Sequence, residues 1–132
     1  MPRPTNALIV DDETHVRAFL RLVLREVGIT ECWEAPDGPT GLQLAAQNQP
    51  ELILLDINMP QMSGMEVLAK LYAELPEIPV VMVTANSSTT NVNEAARLGA
   101  IGYVLKHAPR DQAIGALKDA IDSLADEPEG AN

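Results

Sequence analysis

Short runs of aliphatic residues alternate five times along this chain with longer segments whose apolar positions recur at helical spacing. A short, continuously apolar run is typical of a parallel β-strand that is covered by helices on both faces. Proline, glycine, aspartate and asparagine separate the runs and mark the turns between them. The predicted strands span residues 7–10, 30–34, 51–55, 80–83 and 101–105.

A helix is predicted after each strand. The first helix carries an apolar stripe and ends at Gly28, and the last begins near Pro109 and carries a stripe as far as Leu124. Gly41 weakens the second helix, which ends before Pro50, and the fourth helix has the weakest apolar pattern. The predicted helices span about 16–27, 37–48, 64–75, 91–98 and 109–124.

This alternation of strands and helices implies βαβ units, whose right-handed crossovers give a parallel sheet between two layers of helices. The predicted fold class is therefore α/β with three layers, αβα. The chain has 132 residues, a length at which one domain with one core is the default. We expect a single domain over 1–132, with its folded core at 6–125 and an acidic tail at 126–132 that frays.

Charge and cysteine content narrow the range of functions. Nine Lys and Arg against 19 Asp and Glu give a formal net charge of -10, which opposes direct contact with nucleic acid phosphates. No apolar run is long enough to span a bilayer and no secretory signal opens the chain, so we expect no membrane association. Cys32, the only cysteine, cannot close an internal disulfide, which fits a reducing compartment. The cytoplasm is the expected location.

Residues with reactive or ligating side chains directly follow four of the five predicted strands. Because the carboxyl ends of parallel strands lie at one edge of a sheet, we expect these side chains to converge there. Three carboxylates placed together repel one another unless a cation neutralises them. An all-oxygen set without imidazole or thiolate suits Mg²⁺, which often bridges to a phosphoryl oxygen. The residues are Asp11 and Asp12 after the first strand, Asp56 after the third, Thr84 after the fourth and Lys106 after the fifth.

The hydroxyl and the ammonium at this edge are suited to hold two further oxygens of a phosphoryl group. The edge therefore predicts a site that places a phosphoryl group on a carboxylate with the help of Mg²⁺. Taken separately, the residues have plainer explanations. The acids at 11–13 could cap the first helix, Asp56 could be a turn residue, and Thr84 and Lys106 could be solvated surface positions. Their coincidence at one edge favours the site.

One loop carries a far more specific pattern. Residues 56–64 read Asp, Ile, Asn, Met, Pro, Gln, Met, Ser and Gly. Together with the acidic pair, Thr84 followed by Ala85, and Tyr103 three residues before Lys106, this loop resembles the receiver domain of response regulators in two-component signalling. The chain resembles receivers related to the chemotaxis response regulator, and the resemblance covers residues 6 to about 125.

The resemblance implies a flavodoxin-like (βα)5 fold with the strand order 2-1-3-4-5. It also implies that Asp56 accepts a phosphoryl group in an in-line displacement from the phosphohistidine of a histidine kinase or histidine phosphotransfer protein. Asp12 would bind Mg²⁺ directly, and Asp11 would act mainly through a metal-bound water. Asp56 and the main-chain carbonyl of Asn58 would complete the ligand set.

The resemblance further implies that Lys106 and Thr84 hold the phosphoryl oxygens, and that the same contacts operate a switch. If Thr84 moves to donate to the phosphoryl group, it vacates space that Tyr103 can rotate into, so phosphorylation selects one of two packings. The fourth helix, fifth strand and fifth helix would then change the surface that they present to a downstream effector protein or domain. The last helix could also pair two copies of the chain as a homodimer. Such a protein is not an enzyme in the usual sense, because it catalyses only its own phosphorylation and dephosphorylation.

Three alternatives stay open. A pseudo-receiver would keep the fold and bind partners without phosphate, although no residue that such a protein typically lacks is missing here. An aspartate-nucleophile phosphatase typically has a second acid two residues after the nucleophile, where this chain has Asn58. Finally, Lys106 is followed by His107 rather than directly by proline, as in receivers attached to helix-turn-helix domains. The chain could therefore be the excised N-terminal receiver of a DNA-binding transcription regulator.

Overall fold

A computed structural model of the chain describes residues 3–85 and 89–125. Strands and helices alternate along the described chain, as the apolar pattern predicts. The strands are β1 (Asn6–Val10), β2 (Glu31–Ala35), β3 (Ile53–Asp56), β4 (Val80–Thr84) and β5 (Ala100–Leu105). The helices are α1 (Thr14–Glu26), α2 (Gly38–Asn48), α3 (Gly64–Glu74), α4 (Thr89–Arg97) and α5 (Arg110–Ala125).

All five strands are parallel and form one sheet in the order β2-β1-β3-β4-β5. The α/β fold class and the flavodoxin-like order are therefore confirmed. Strand ends differ from the prediction by one or two residues, so that Asp56 and Thr84 are the last residues of β3 and β4 rather than the first residues after them. The single-domain organisation of the whole chain stays a prediction, and the expected tail at 126–132 lies outside the described residues.

Successive residues of a strand point to opposite faces of the sheet, so a continuously apolar strand makes both faces apolar. A layer of helices covers each face. Ile9 and Leu54 pack in one cluster with the apolar stripes of α1 and α5. Leu8 and Leu55 pack in the other cluster with residues of α2, α3 and α4. All four of these leucine and isoleucine side chains have no solvent exposure. The central strands are therefore buried from both sides, as their continuous apolar runs predict.

The second helix forms although Gly41 lowers its intrinsic propensity. A Cβ atom at Gly41 would lie 2.8 Å from Val10 Cγ2, so the missing side chain lets α2 pack directly on β1. The Asp37 side chain accepts a hydrogen bond of 2.8 Å from the N–H of Thr40 and caps the helix. Close packing and capping thus offset the cost of a glycine within the helix.

The fourth helix, the weakest in pattern, runs over Thr89–Arg97 rather than near 91–98. Ala95 of this helix is buried in the cluster that contains Leu8 and Leu55. Glu94 and Arg97 form an exposed ion pair on the surface of the helix. Gly99, with φ of 93°, turns the chain into β5. None of the helices described is both long enough and apolar enough to cross a bilayer.

Candidate functional site

The predicted site residues lie at the carboxyl edge of the sheet. Backbone hydrogen bonds continue the strand pairing one residue past the ends of β1, β3 and β5, and they fix where the following side chains point. The loops at this edge therefore begin in register with the sheet. In each bond the first residue donates its N–H to the carbonyl of the second: Asp11 to Ala35 at 3.1 Å, Ile57 to Val83 at 3.0 Å, and Lys106 to Thr84 at 2.8 Å.

Three carboxylates meet at this edge. One oxygen each from Asp11, Asp12 and Asp56 lies within 4.8 Å of the others, with Asp11 and Asp56 fully buried and Asp12 exposed. Asp11 Oδ1 accepts the N–H of Glu13 at 2.9 Å, whereas its buried Oδ2 accepts no hydrogen bond from the described part of the chain. Its nearest cationic partner there is Lys106 Nζ, at an ion-pair distance of 3.3 Å. A buried carboxylate oxygen that accepts no hydrogen bond is costly, and a divalent cation between the three carboxylates would neutralise it. The donor set therefore fits Mg²⁺.

Lys106 crosses the sheet edge to the acidic cluster. Its side chain is 6% exposed, and its Nζ donates to Asp56 Oδ2 at 3.0 Å and lies 3.3 Å from Asp11 Oδ2. Its shortest contact is with Glu13 Oε2, at 2.6 Å. From the sequence alone, Glu13 is only one of three acids that could cap α1. Glu13 does occupy the N-cap position of α1, but its side chain makes no capping hydrogen bond and turns to Lys106 instead.

Burial dominates the electrostatics of the two buried acids. It raises the pKa of Asp56 to about 6, because the nearby charge of Asp11 adds to the burial and the hydrogen bond from Lys106 only partly opposes it. Burial also raises the pKa of Asp11. Burial alone would lower the pKa of Lys106, but its hydrogen bonds to Glu13 and Asp56 raise it above the usual range. The lysine is therefore a permanent cation beside a carboxylate that resists ionisation.

The loop after β3 folds back onto the backbone of Asp56. The N–H of Gly64 donates to the carbonyl of Ile57 at 2.8 Å, and a Cβ atom at Gly64 would lie only 2.0 Å from the Asp56 carbonyl oxygen. Ser63 and Glu66 form a capping box that starts α3 at this point. The glycine of the 56–64 motif is thus required because the first turn of α3 touches the backbone of the predicted phospho-acceptor.

Asn58 lies in the same loop, next to Asp56. Its N–H donates to Asp56 Oδ1 at 3.2 Å, while Lys106 Nζ donates to Asp56 Oδ2, so both oxygens of the Asp56 carboxylate accept a hydrogen bond. The side chain of Asn58 is exposed. The proposed use of its main-chain carbonyl as a metal ligand stays a prediction.

The two residues of the expected switch lie on neighbouring strands. Thr84 is 2% exposed. Tyr103 is partly buried and packs against the hydrophobic cluster that contains Leu8, Met82 and Ala95. Met82 pairs with Tyr103 in the register of β4 and β5, so Thr84, two residues after Met82, points to the same face of the sheet as Tyr103. The structure therefore places Thr84 and Tyr103 on the face that α4 covers.

Arg17 supports the acidic loop from α1, and no sequence pattern singled it out. Its guanidinium donates to the carbonyl oxygen of Asp11 at 2.7 Å and to Glu34 Oε1 at 2.9 Å. Glu34 lies on β2, so the arginine ties the loop after β1 to the neighbouring strand. Its side chain is only 14% exposed, which strengthens the ion pair relative to one at the surface.

A parallel sheet of order 2-1-3-4-5 that carries an acidic cluster, a hydroxyl and a lysine at its carboxyl edge defines a receiver-type α/β domain. The family model of the response regulator receiver domain matches residues 7–118. Chemotaxis protein CheY of Pseudomonas aeruginosa is 39% identical over 101 residues, which cover 75% of this chain and 82% of that protein. The chain belongs to the response regulator receiver domain family and is of the chemotaxis-regulator type.

Two further similarities bear on fold and context. The crystal structure of a CheY-like response regulator receiver domain protein from Methanospirillum hungatei matches with a TM-score of 0.81 and 28% identity, over 95% of this chain and 99% of that one. The uncharacterized transcriptional regulatory protein YxjL of Bacillus subtilis is 34% identical over 113 residues. That match covers 85% of this chain but only 52% of YxjL, so YxjL extends well beyond the shared receiver region.

Proposed function

We propose that this receiver domain accepts a phosphoryl group on Asp56 and thereby relays a signal within a two-component pathway. The observation that carries the proposal is the convergence at Asp56. One carboxylate oxygen each from Asp11, Asp12 and Asp56 lies within 4.8 Å of the others. Lys106 Nζ lies 3.0 Å from Asp56 Oδ2. A nucleophile, a fixed cation and a set of metal ligands are the parts that phosphoryl transfer needs.

The proposed donor is the phosphohistidine of a histidine kinase or of a histidine phosphotransfer protein. An Asp56 carboxylate oxygen attacks phosphorus, a new O–P bond forms, and the N–P bond breaks with its electron pair leaving on the imidazole nitrogen. The product is an acyl phosphate on Asp56. Lys106 and Thr84 hold the phosphoryl oxygens through charge-assisted and ordinary hydrogen bonds. The chain catalyses only this transfer and the later hydrolysis of its own acyl phosphate.

Mg²⁺ is the proposed cofactor. Asp12 and Asp56 are the proposed direct ligands, together with the main-chain carbonyl of Asn58, and Asp11 acts mainly through a bound water. Support comes from the oxygen-only donor set and from the buried Asp11 Oδ2, which accepts no hydrogen bond within the described residues. When bound, Mg²⁺ supplies positive charge that offsets the negative charge of the phosphoryl oxygens and carboxylates.

The proposed output is a changed surface over α4, β5 and α5, which binds a downstream effector protein or domain or a second copy of the chain. Support comes from the shared sheet face of Thr84 and Tyr103 and from Leu105, an exposed leucine of β5. A rearrangement there would alter the amide NMR resonances of these three elements when Asp56 is phosphorylated. An unchanged spectrum of the phosphorylated protein would refute this part of the proposal. We propose the cytoplasm as the site of action.

The first experiment measures the intact mass of the whole 132-residue chain after incubation with Mg²⁺ and acetyl phosphate. We expect the addition of one phosphoryl group, no addition to Asp56→Asn, and no addition in the presence of a chelator. Asp37→Asn is the matched control, because it removes the same charge and asparagine caps a helix as well as aspartate does. A folded wild-type protein that gains no mass would instead support a pseudo-receiver.

A second candidate is the receiver part of a longer DNA-binding regulator. The similarity to YxjL, a transcriptional regulatory protein of which the match covers 52%, favours it. Sequencing the reading frame past Asn132 tests this candidate, since a helix-turn-helix region downstream would support it and an immediate stop codon would refute it.

A further inference from the structure

Of the three described acids within ion-pair distance of Lys106, Glu13 is the one to which the proposed phosphoryl transfer assigns no role. It stands at the N-cap position of α1, where a short polar side chain ordinarily accepts an N–H of the first turn. Its carboxylate does not do so, and lies instead 2.6 Å from Lys106 Nζ. The helix therefore does not explain the placement of the Glu13 side chain, whereas the site does.

Glu13 and Asp56 accept hydrogen bonds from Lys106 Nζ, and Asp11 lies within ion-pair distance of it. Asp56 Oδ2 lies at 3.0 Å, Asp11 Oδ2 at 3.3 Å and Glu13 Oε2 at 2.6 Å. An incoming phosphoryl oxygen therefore competes with these carboxylates for the positive charge and the N–H groups of Lys106. In the proposed reaction Asp56 becomes an acyl phosphate and Asp11 would help to hold the metal, so Glu13 is the member that has no other partner in the reaction.

Resting on the proposed function, we infer that Glu13 is a positioning residue that competes with the phosphoryl group for Lys106 and slows the phosphorylation of Asp56 by dianionic donors. Glu13 acts by occupying an N–H donor of Lys106 and by repelling a negatively charged donor, since its carboxylate lies beside the lysine that contacts Asp56. The side chain of Glu13 is 38% exposed, so it can swing into solvent and yield its place. Glu13 thus sets how readily the site accepts a doubly charged group.

Glu13→Gln tests the inference, because the amide keeps the size of the side chain and an oxygen that can accept from Lys106 but removes the charge. We expect phosphorylation by acetyl phosphate, a dianion at neutral pH, to become about fivefold faster, in line with the loss of one unit charge near the acceptor. With phosphoramidate, which carries one negative charge less, the rate should rise by less than about twofold. Intact mass against time gives both rates. A residue with a merely structural role would change both rates by the same factor.

Two further variants serve as controls. Glu31→Gln removes the same charge from an exposed residue at the opposite end of the sheet and should leave both rates unchanged. Glu13→Asp keeps the charge on a shorter arm and should stay within about twofold of the wild-type rate with acetyl phosphate. Circular dichroism and urea unfolding establish that each variant is folded before its rates are compared.

The outcomes separate the two proposals. If the wild-type protein is phosphorylated and Glu13→Gln is faster with acetyl phosphate alone, the inference is supported. If Glu13→Gln is slower than or equal to wild type, or if Glu31→Gln is accelerated as much, the inference is wrong while the proposed function stands. If the wild-type protein takes no phosphoryl group from either donor, the proposed function fails and the inference fails with it.

Discussion

Four acids and one ammonium share the carboxyl edge of the sheet, and their charges do not balance. Lys106 lies within ion-pair distance of Asp11, Glu13 and Asp56, while Asp12 adds a further negative charge beside them. Two of the acids are fully buried, so water cannot screen their mutual repulsion. At the scale of single residues, the site is therefore less stable when its carboxylates are ionised than when a proton or a cation neutralises one of them.

Asp56→Asn should raise the free energy of unfolding by up to about 3 kcal/mol at neutral pH in the presence of a chelator. The pKa of Asp56 is raised from 3.8 to about 6 in the folded protein, so the folded state holds this proton more tightly than the unfolded state. The contribution of Asp56 to stability is therefore fully present below pH 3.8 and is lost as the pH rises through about 6.

Urea unfolding of both proteins over a pH series measures this difference, and ionisations that the two proteins share cancel from it. We expect the advantage of Asp56→Asn to be smallest near pH 4 and largest above about pH 7. An advantage that stays constant over this range would show that burial does not raise the pKa of Asp56.

At the scale of secondary-structure elements, local capping and close backbone packing decide where each helix begins. The capping box of Ser63 and Glu66 starts α3, and the side chain of Asp37 caps α2. Gly64 combines the two influences, because it is the first residue of α3 and touches the backbone of Asp56. The geometry of the proposed phospho-acceptor thus depends on where α3 begins.

Gly64→Ala should destabilise the protein by about 3 kcal/mol or more, because its new methyl group would lie 2.0 Å from the Asp56 carbonyl oxygen and the backbone must move. Gly115→Ala is the matched control. A Cβ atom at Gly115, within α5, meets nothing within 4 Å, so alanine should stabilise that helix by about 0.5–1 kcal/mol. Chemical denaturation of both variants measures the effects, and similar values at the two sites would contradict the close approach at Gly64.

Much of the fold and of the site could be predicted from the sequence because simple periodicities and one topological rule control them. The continuous apolar runs identify β3 and β4 as central strands, and the residues at the ends of parallel strands must converge, which locates Asp56 and Lys106. The ends of α4 could not be predicted well, since Ala95 is its only fully buried residue among those whose side chains are described and the apolar pattern is correspondingly weak.

The contacts that no sequence pattern predicts depend on side-chain conformations. Glu13 and Lys106 are 93 positions apart, and Arg17 meets Glu34 across an interval of 17. No periodicity connects such pairs, because a helix or strand pattern fixes which face a residue is on but not where a long side chain ends. The third acid after β1 was a visible signal, but capping of α1 explained it equally well.

At the scale of the whole molecule, the balance of charge is strongly negative. The chain carries a formal net charge of -10, and the acidic site adds a local excess of the same sign. A divalent cation at the site would lower both the local repulsion and the repulsion across the molecule. Because two of the aspartates lie in the loop after β1 and the third ends β3, their convergence exists only in the folded chain. Cation binding and global folding should therefore be coupled.

Mg²⁺ should stabilise the wild-type protein against urea by about 1.4 kcal/mol at a concentration ten times its dissociation constant, because it binds the folded chain and not the unfolded chain. Asp12→Asn should lose most of this stabilisation, and since Asp12 is exposed, the variant should still fold. Asp37→Asn should keep the full effect. Equal stabilisation of the Asp12 variant and the wild type would mean that Mg²⁺ acts elsewhere or through general ionic strength.

The backbone hydrogen bonds that extend past the ends of β1, β3 and β5 have a consequence for local opening of the chain. The amides of Asp11, Ile57 and Lys106 donate to carbonyls of neighbouring strands, although each residue lies outside its own strand. In deuterated water these three amides should exchange as slowly as those of the strands, because they become accessible only when the sheet itself opens. The site is then a rigid continuation of the core, and the binding groups at its base do not need to be ordered when a ligand arrives.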